Sequence, residues 1–163
     1  MIMIAEFYES WRGIRKNARG KLSLDQAKQF HQKEKPYVVI ISKNKAPVYI
    51  VKINFNYEGY FCSIAYLNEN LDAKKSESYV AQEHQLFLKN VQKKYYDGRE
   101  IDMVTYLYET DGRYRKNFFI DGRAMEDAEY GKCDVSSHFR EMIQFGNYDS
   151  ILPEEAKRGL QEG

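Results

Sequence analysis

Three histidines, His31, His84 and His138, and two cysteines, Cys62 and Cys133, are the side chains best suited to move protons or attack carbon near neutral pH. Two imidazoles brought together would supply the acid and base of a hydrolase or nuclease. Nothing in their spacing brings them together. His31 falls in a predicted helix, His84 ahead of a predicted strand and His138 in the tail, so each reads as an ordinary surface or edge histidine. Cys133 and His138 stand five positions apart, but a thiol–imidazole pair also needs an orienting third group in space. The two cysteines lie 71 residues apart, and neither has a further ligand at metal-binding spacing. They read as two small buried side chains of a reducing compartment.

Glu155-Ala-Lys157 matches half of a metal-dependent nuclease core, but it falls in a predicted terminal helix where that core needs a strand. Glu126, Asp127, Glu129 and Asp134 are dense enough to hold a divalent cation. Their spacing fits no cation loop, and a solvated acidic face is the simpler reading. Phosphate-cradling glycine loops, zinc patterns and nucleophile elbows are absent. The expectation is a protein with no catalytic residue, no metal site and no cofactor. A site assembled from dispersed residues is the remaining enzymatic alternative.

Charge is the most informative bulk property. The chain of 163 residues carries a net charge of only +1, yet residues 1–35 hold eight basic and four acidic groups while residues 121–163 hold five basic and ten acidic. Arg12, Arg15, Lys16 and Arg19, with Lys21 and Lys28 further on, could neutralise phosphates, so nucleic acid is one candidate partner. The surrounding sequence lacks a helix-turn-helix partner with base-reading polar residues, which favours a solvated helix face lying over a sheet. No stretch approaches the length of apolar chain that spans a bilayer, and the N-terminus lacks a basic leader region. A cytoplasmic protein with no membrane contact is expected.

These groups must be positioned by a scaffold rich in Tyr (14) and Phe (9), residues suited to pleated, half-buried surfaces. Phe7, Trp11, Ile14 and Ala18 fall at helical spacing and predict a helix over 6–19. Ser23 with Gln26 forms a capping box that opens a second helix, which Pro36 ends. From Pro36 the period becomes two. Tyr37–Ser42 reads as a buried strand, and Val48–Tyr57 with Tyr60–Leu67 as a hairpin. Residues 68–78 read as a loop, and residues 79–96 as strand in preference to helix. Asp97-Gly-Arg99, Asp111-Gly-Arg113 and Asp121-Gly-Arg123 punctuate aromatic segments in the manner of hairpin turns. In the tail, a short helix is expected near 134–140, capped by Ser136 or Ser137. A turn is expected at 145–148 and a last helix over 154–160 opened by Pro153. The fold class is α+β: an antiparallel meander with N-terminal helices packed against it. It forms one domain over 1–163, with a helical part at 1–35, sheet at 36–122 and an acidic tail at 123–163.

Lys132-Cys-Asp-Val-Ser-Ser-His-Phe-Arg140, followed by Gln144-Phe-Gly-Asn-Tyr-Asp-Ser-Ile-Leu152, resembles the C-terminal pattern of bacterial immunity proteins from polymorphic-toxin and contact-dependent growth-inhibition systems. The aromatic strands and Asp-Gly turns before it are similar too, so the resemblance covers about residues 48–152. It implies stoichiometric binding and neutralisation of a cognate toxin domain. By that resemblance Glu126, Asp127, Glu129, Asp134 and Asp149 would face the toxin, with Tyr130 and Tyr148 as aromatic anchors. Another binding module acting through the basic N-terminal segment is the alternative.

Overall fold

The computed structural model describes residues 1–162. In chain order it contains β1 (Met3–Arg12), β2 (Asn17–Leu22), α1 (Leu24–Gln32), β3 (Tyr37–Lys43), β4 (Ala46–Ile53), β5 (Cys62–Leu67) and β6 (Ala73–Gln82). There follow β7 (Gln85–Lys94), β8 (Met103–Tyr108), β9 (Arg113–Ile120), β10 (Arg123–Ala124), β11 (Glu129–Lys132), a 3-10 turn (Ser136–His138), β12 (Phe139–Glu141) and α2 (Glu154–Glu162). All twelve strands join one sheet in the order β10-β9-β8-β7-β6-β5-β4-β3-β1-β2, with β11 against β9 and β12 against β7. From β3 to β10 each strand pairs with its successor, so the expected antiparallel meander is present. Among the described residues no helix is long and apolar enough to cross a membrane.

The N-terminal part departs from expectation. Residues 6–19 form the β1–β2 hairpin and not a helix, leaving α1 as the one N-terminal helix. The four residues at helical spacing do not share a face. Phe7 joins the main core, Trp11 and Ala18 pack on a second cluster, and Ile14 at the turn is 99% exposed. The same segment also alternates, with Met3, Ala5 and Phe7 on one side. That alternation lets β1 pair with apolar β3 from Met3↔Lys43 to Tyr8↔Val38. Long-range pairing of this kind outweighs helix propensities that differ by only tenths of a kcal/mol per residue, about 0.7 at most for ordinary residues.

The capping box forms as expected. Ser23 Oγ accepts from the Gln26 amide at 3.1 Å, and Gln26 Oε1 accepts from the Ser23 amide at 2.8 Å. Residues 79–96 are extended, ending β6 and forming β7, but the expected loop at 68–78 is already strand from Ala73. β6 was hard to read because its first half has no apolar alternation. Ser76 and Ser78 occupy one face, and on the other Glu77 accepts a hydrogen bond from the Tyr66 hydroxyl at 2.7 Å. In the tail the short helix contracts to the 3-10 turn, whose Ser136 amide is held by Asp134 Oδ1 at 2.9 Å. The last helix, α2, follows Pro153 as expected.

The sheet's two faces have different fates. One carries the main core, including Tyr37, Val39, Ile41, Val51, Ile53, Cys62, Ile64 and Tyr79, and is closed by Ala27 of α1, Ala156 of α2 and Ile143, Tyr148, Ile151 and Leu152 from the intervening loop. The other carries a small cluster of Val38, Ile40, Ile50 and Leu67, covered by Tyr8, Trp11, Ala18 and Leu71. Trp11 joins Tyr8 on this side because the β1–β2 ladder skips Glu9 and Gly20. Gly20 has φ +70°, and a Cβ there would sit 2.4 Å from the Glu9 carboxylate. Beyond this break the hairpin tip lies over the second cluster, where Lys16 Nζ meets Asp72 Oδ1 at 3.2 Å.

Candidate partner-binding surface

Paired residues of antiparallel strands share a face, so a row can be followed across the sheet. Lys52, Ser63, Ser78, Asn90, Leu107, Arg115 and Tyr130 are successive register partners. This row runs along the face that carries neither helix. It begins beside the second cluster, passes through small polar side chains and ends at Tyr130 of β11.

The end of that row is built by two hairpin turns that share a tripeptide and differ in conformation. At the β8–β9 turn the Gly112 amide donates to the Glu109 carbonyl (3.0 Å), and the Glu109 amide donates to the Arg113 carbonyl (2.8 Å). Gly112 takes φ +93°, and a Cβ there would lie 2.2 Å from the Cys133 carbonyl oxygen. Only glycine therefore lets β11 dock so closely on β9. At the β9–β10 turn Asp121 and Gly122 both have positive φ (50° and 75°), the two-residue form that matches strand twist. Asp97-Gly-Arg99 lies instead in the connection between β7 and β8. There Arg99 Nε binds Asp97 Oδ1 at 2.9 Å and holds that carboxyl down at about 2.

β11 separates the residues that the resemblance grouped. Tyr130, paired with Arg115, and Lys132, paired with Arg113, project to the uncovered face. Glu129 pairs with Lys116 and projects to the opposite face. Gly131 pairs with Tyr114, whose hydroxyl lies 2.5 Å from where a Cβ would stand, so the ring crosses the glycine. Tyr130 is 73% exposed and Leu107 36% exposed. Leu107, Glu109, Arg113, Tyr114, Arg115 and Tyr130 line a shallow depression of about 270 Å³. Glu109 is paired with Lys89 at 3.0 Å and Asp111 with Arg113 at 2.7 Å. The Arg113 amide and guanidinium hold the Asp111 carboxyl below the usual range. Arg115 and Lys132 have no carboxylate within salt-bridge distance among the described residues.

The other predicted site residues are scattered. Glu126 and Asp127 are exposed on the link between β10 and β11, near exposed Met125. Asp134 is exposed but serves the 3-10 turn, and the Ser136 amide lowers its pKa. Asp149 is exposed on the loop that closes the covered face. Tyr148 is no surface anchor: it is 6% exposed, and its hydroxyl meets that of Tyr37 at 2.9 Å. Tyr37 belongs to β3, six places from β9 in the sheet order, so Tyr148 and Tyr130 sit on different parts of the molecule. Sequence reasoning missed Leu107, Arg113, Arg115 and Lys132. Their signal was parity: Arg113 and Arg115 lie two apart in a strand whose intervening Tyr114 points the other way.

The histidines do not converge. His31 Nδ1 lies 2.8 Å from the Tyr37 hydroxyl, ringed by Phe55 and Phe145, and burial lowers its pKa. His138 Nδ1 meets the Leu88 carbonyl at 3.0 Å, and His84 is exposed between β6 and β7. Cys62 is fully buried, which pushes its thiol up to about 12, whereas Cys133 is exposed and corrects the expectation of two buried cysteines. Of the basic residues assigned to nucleic acid, Lys16 is engaged by Asp72, and Arg12 Nε donates to Asn17 Oδ1 at 3.0 Å. Arg15 and Arg19 remain exposed on the hairpin. No family model, no curated protein and no solved structure matches the chain.

Proposed function

We propose that this chain is a stoichiometric protein-binding module of the immunity type, which neutralises a cognate toxin domain in the cytoplasm by covering it. One observation carries the reading: Tyr130 stands 73% exposed on a strand fixed by four register pairs, beside exposed Leu107, on a face that no helix covers. A tyrosine held on a rigid strand loses little freedom when a partner closes over it, and residues of this kind dominate binding energy. Glu126 and Asp127, exposed on the link that leads into β11, supply a charged rim. The test is titration calorimetry against the toxin-domain product of the neighbouring gene. Tyr130→Ala should weaken binding by about 2 kcal/mol or more, the scale of a hot-spot residue. Undiminished affinity in that variant would remove this surface as the interface.

A further inference from the structure

We infer that the uncovered face around Tyr130 receives a carboxylate-rich protein segment; the inference rests on the binding reading above and assigns the partner's charge. The resemblance pointed the other way, with carboxylates of this chain facing the toxin. The register does not gather those carboxylates around Tyr130: Glu129 lies on the far side of β11, while Arg115 and Lys132 share the tyrosine's side.

The charges on this face are unequal in availability. Its two carboxylates, Glu109 and Asp111, are already held by Lys89 and Arg113. Arg115 is steadied by Asn117, its Nε donating to Oδ1 at 3.0 Å, a neutral contact that leaves the charge uncompensated. Lys132 is the register partner of Arg113, and its charge adds a little to the lowering of the Asp111 pKa. Arg115 and Lys132 thus lack a carboxylate within salt-bridge distance among the described residues, and Arg115 stands between Leu107 and Tyr130 in the register row. A guanidinium presents its donors in the fork that fits a carboxylate. Leu107 and Tyr130, on either side of Arg115, suit a segment in which acidic and apolar side chains alternate. A nucleic acid fits less well, because Glu109 and Asp111 would stand against a continuous phosphate backbone.

The probe is a labelled extended peptide alternating Glu with Leu, measured by fluorescence anisotropy against the full chain. Its Lys-for-Glu counterpart and a single-stranded oligonucleotide serve as the other arms. The acidic peptide should bind with an affinity that falls as salt rises, and Arg115→Glu and Lys132→Glu should each weaken it about tenfold or more. Unchanged melting of these variants shows that they fold. No binding of the acidic peptide, or binding indifferent to both substitutions, overturns the inference. Tighter binding of the oligonucleotide does so in favour of nucleic acid. The two readings separate with the toxin-domain protein itself. Capture lost in Tyr130→Ala but kept in Arg115→Glu and Lys132→Glu leaves the surface standing and removes the acidic partner. Capture kept in Tyr130→Ala removes the surface as well.

Discussion

The two faces of the sheet are made from the same strands, often from adjacent residues, yet they follow different rules. On β5, Ile64 is fully buried in the main core while Ser63, one residue earlier, belongs to the open row of small polar side chains. The covered face is aromatic and aliphatic, and four of its tyrosine hydroxyls are hydrogen-bonded: Tyr37 and Tyr148 to each other, Tyr49 to Glu155 and Tyr66 to Glu77. The open face keeps the apolar cluster of Val38, Ile40, Ile50 and Leu67 where the β1–β2 hairpin shelters it, and the row that starts at Lys52 runs through small polar side chains to Arg115 and Tyr130. Most of the buried apolar core therefore lies on one side, and the exposed polar and cationic row lies on the other.

The sharpest way to break this contrast is to truncate one residue on each side. Ile64→Ala should cost about 2–5 kcal/mol in urea unfolding, the range for emptying a packed aliphatic site. A cost under about 1 kcal/mol would contradict the packing of Ile64 in the main core. Next come the two glycines of the repeated tripeptide. Gly112→Ala should destabilise by about 1–3 kcal/mol or more, since positive φ and a collision with the Cys133 carbonyl act together. Gly122→Ala meets nothing within 4 Å and should cost only about 1 kcal/mol, the backbone term alone. Equal losses in the two variants would contradict the close docking of β11.

A smaller effect is a pH dependence confined to the covered face. Burial outweighs the pull of Glu34 and lowers the His31 pKa below the free value of 6.5. The unfolded chain then binds the proton more readily. The stability from the neutral imidazole is complete above about 6.5 and declines as pH falls below it. Thermal melts of wild type and His31→Gln should diverge in that acidic window and run parallel above it. Parallel curves throughout would show that His31 is not held neutral. Smallest of all, Ser63→Ala should stay within about 0.5 kcal/mol of wild type.

Much of this contrast was legible in residue order, and the failures have identifiable causes. Tyr37–Ser42 announced itself as an unbroken apolar run and the 48–67 hairpin by its period of two, although its first strand ends at Ile53 and not at Tyr57. The capping box at Ser23 was decisive because its two hydrogen bonds are local. The β1–β2 hairpin was misread because Phe7, Trp11, Ile14 and Ala18 satisfy a helical spacing, and the break at Glu9 and Gly20 sends Trp11 to the side opposite Phe7. β6 was partly missed because a strand with one open face and a hydrogen-bonded Glu77 has no apolar alternation to detect. The site was the least legible part. Acidic and aromatic residues near one another in sequence, Glu129 and Tyr130, were grouped together, whereas strand parity sends them to opposite sides. Tyr148 looked like an anchor because a hydroxyl contact to Tyr37, distant in the chain, leaves no local trace.

The break at Gly20 also bears on how copies of this chain behave beside one another. A broad sheet invites another molecule to lengthen it at its margins, and a long flat border strand is the usual template. Here one border strand, β2, is interrupted at its glycine and carries Arg19 and Lys21, while the opposite border consists of segments of two and four residues. Neither margin offers a straight row of free amides and carbonyls, so the molecule can leave one sheet face uncovered without also recruiting its own kind edge to edge.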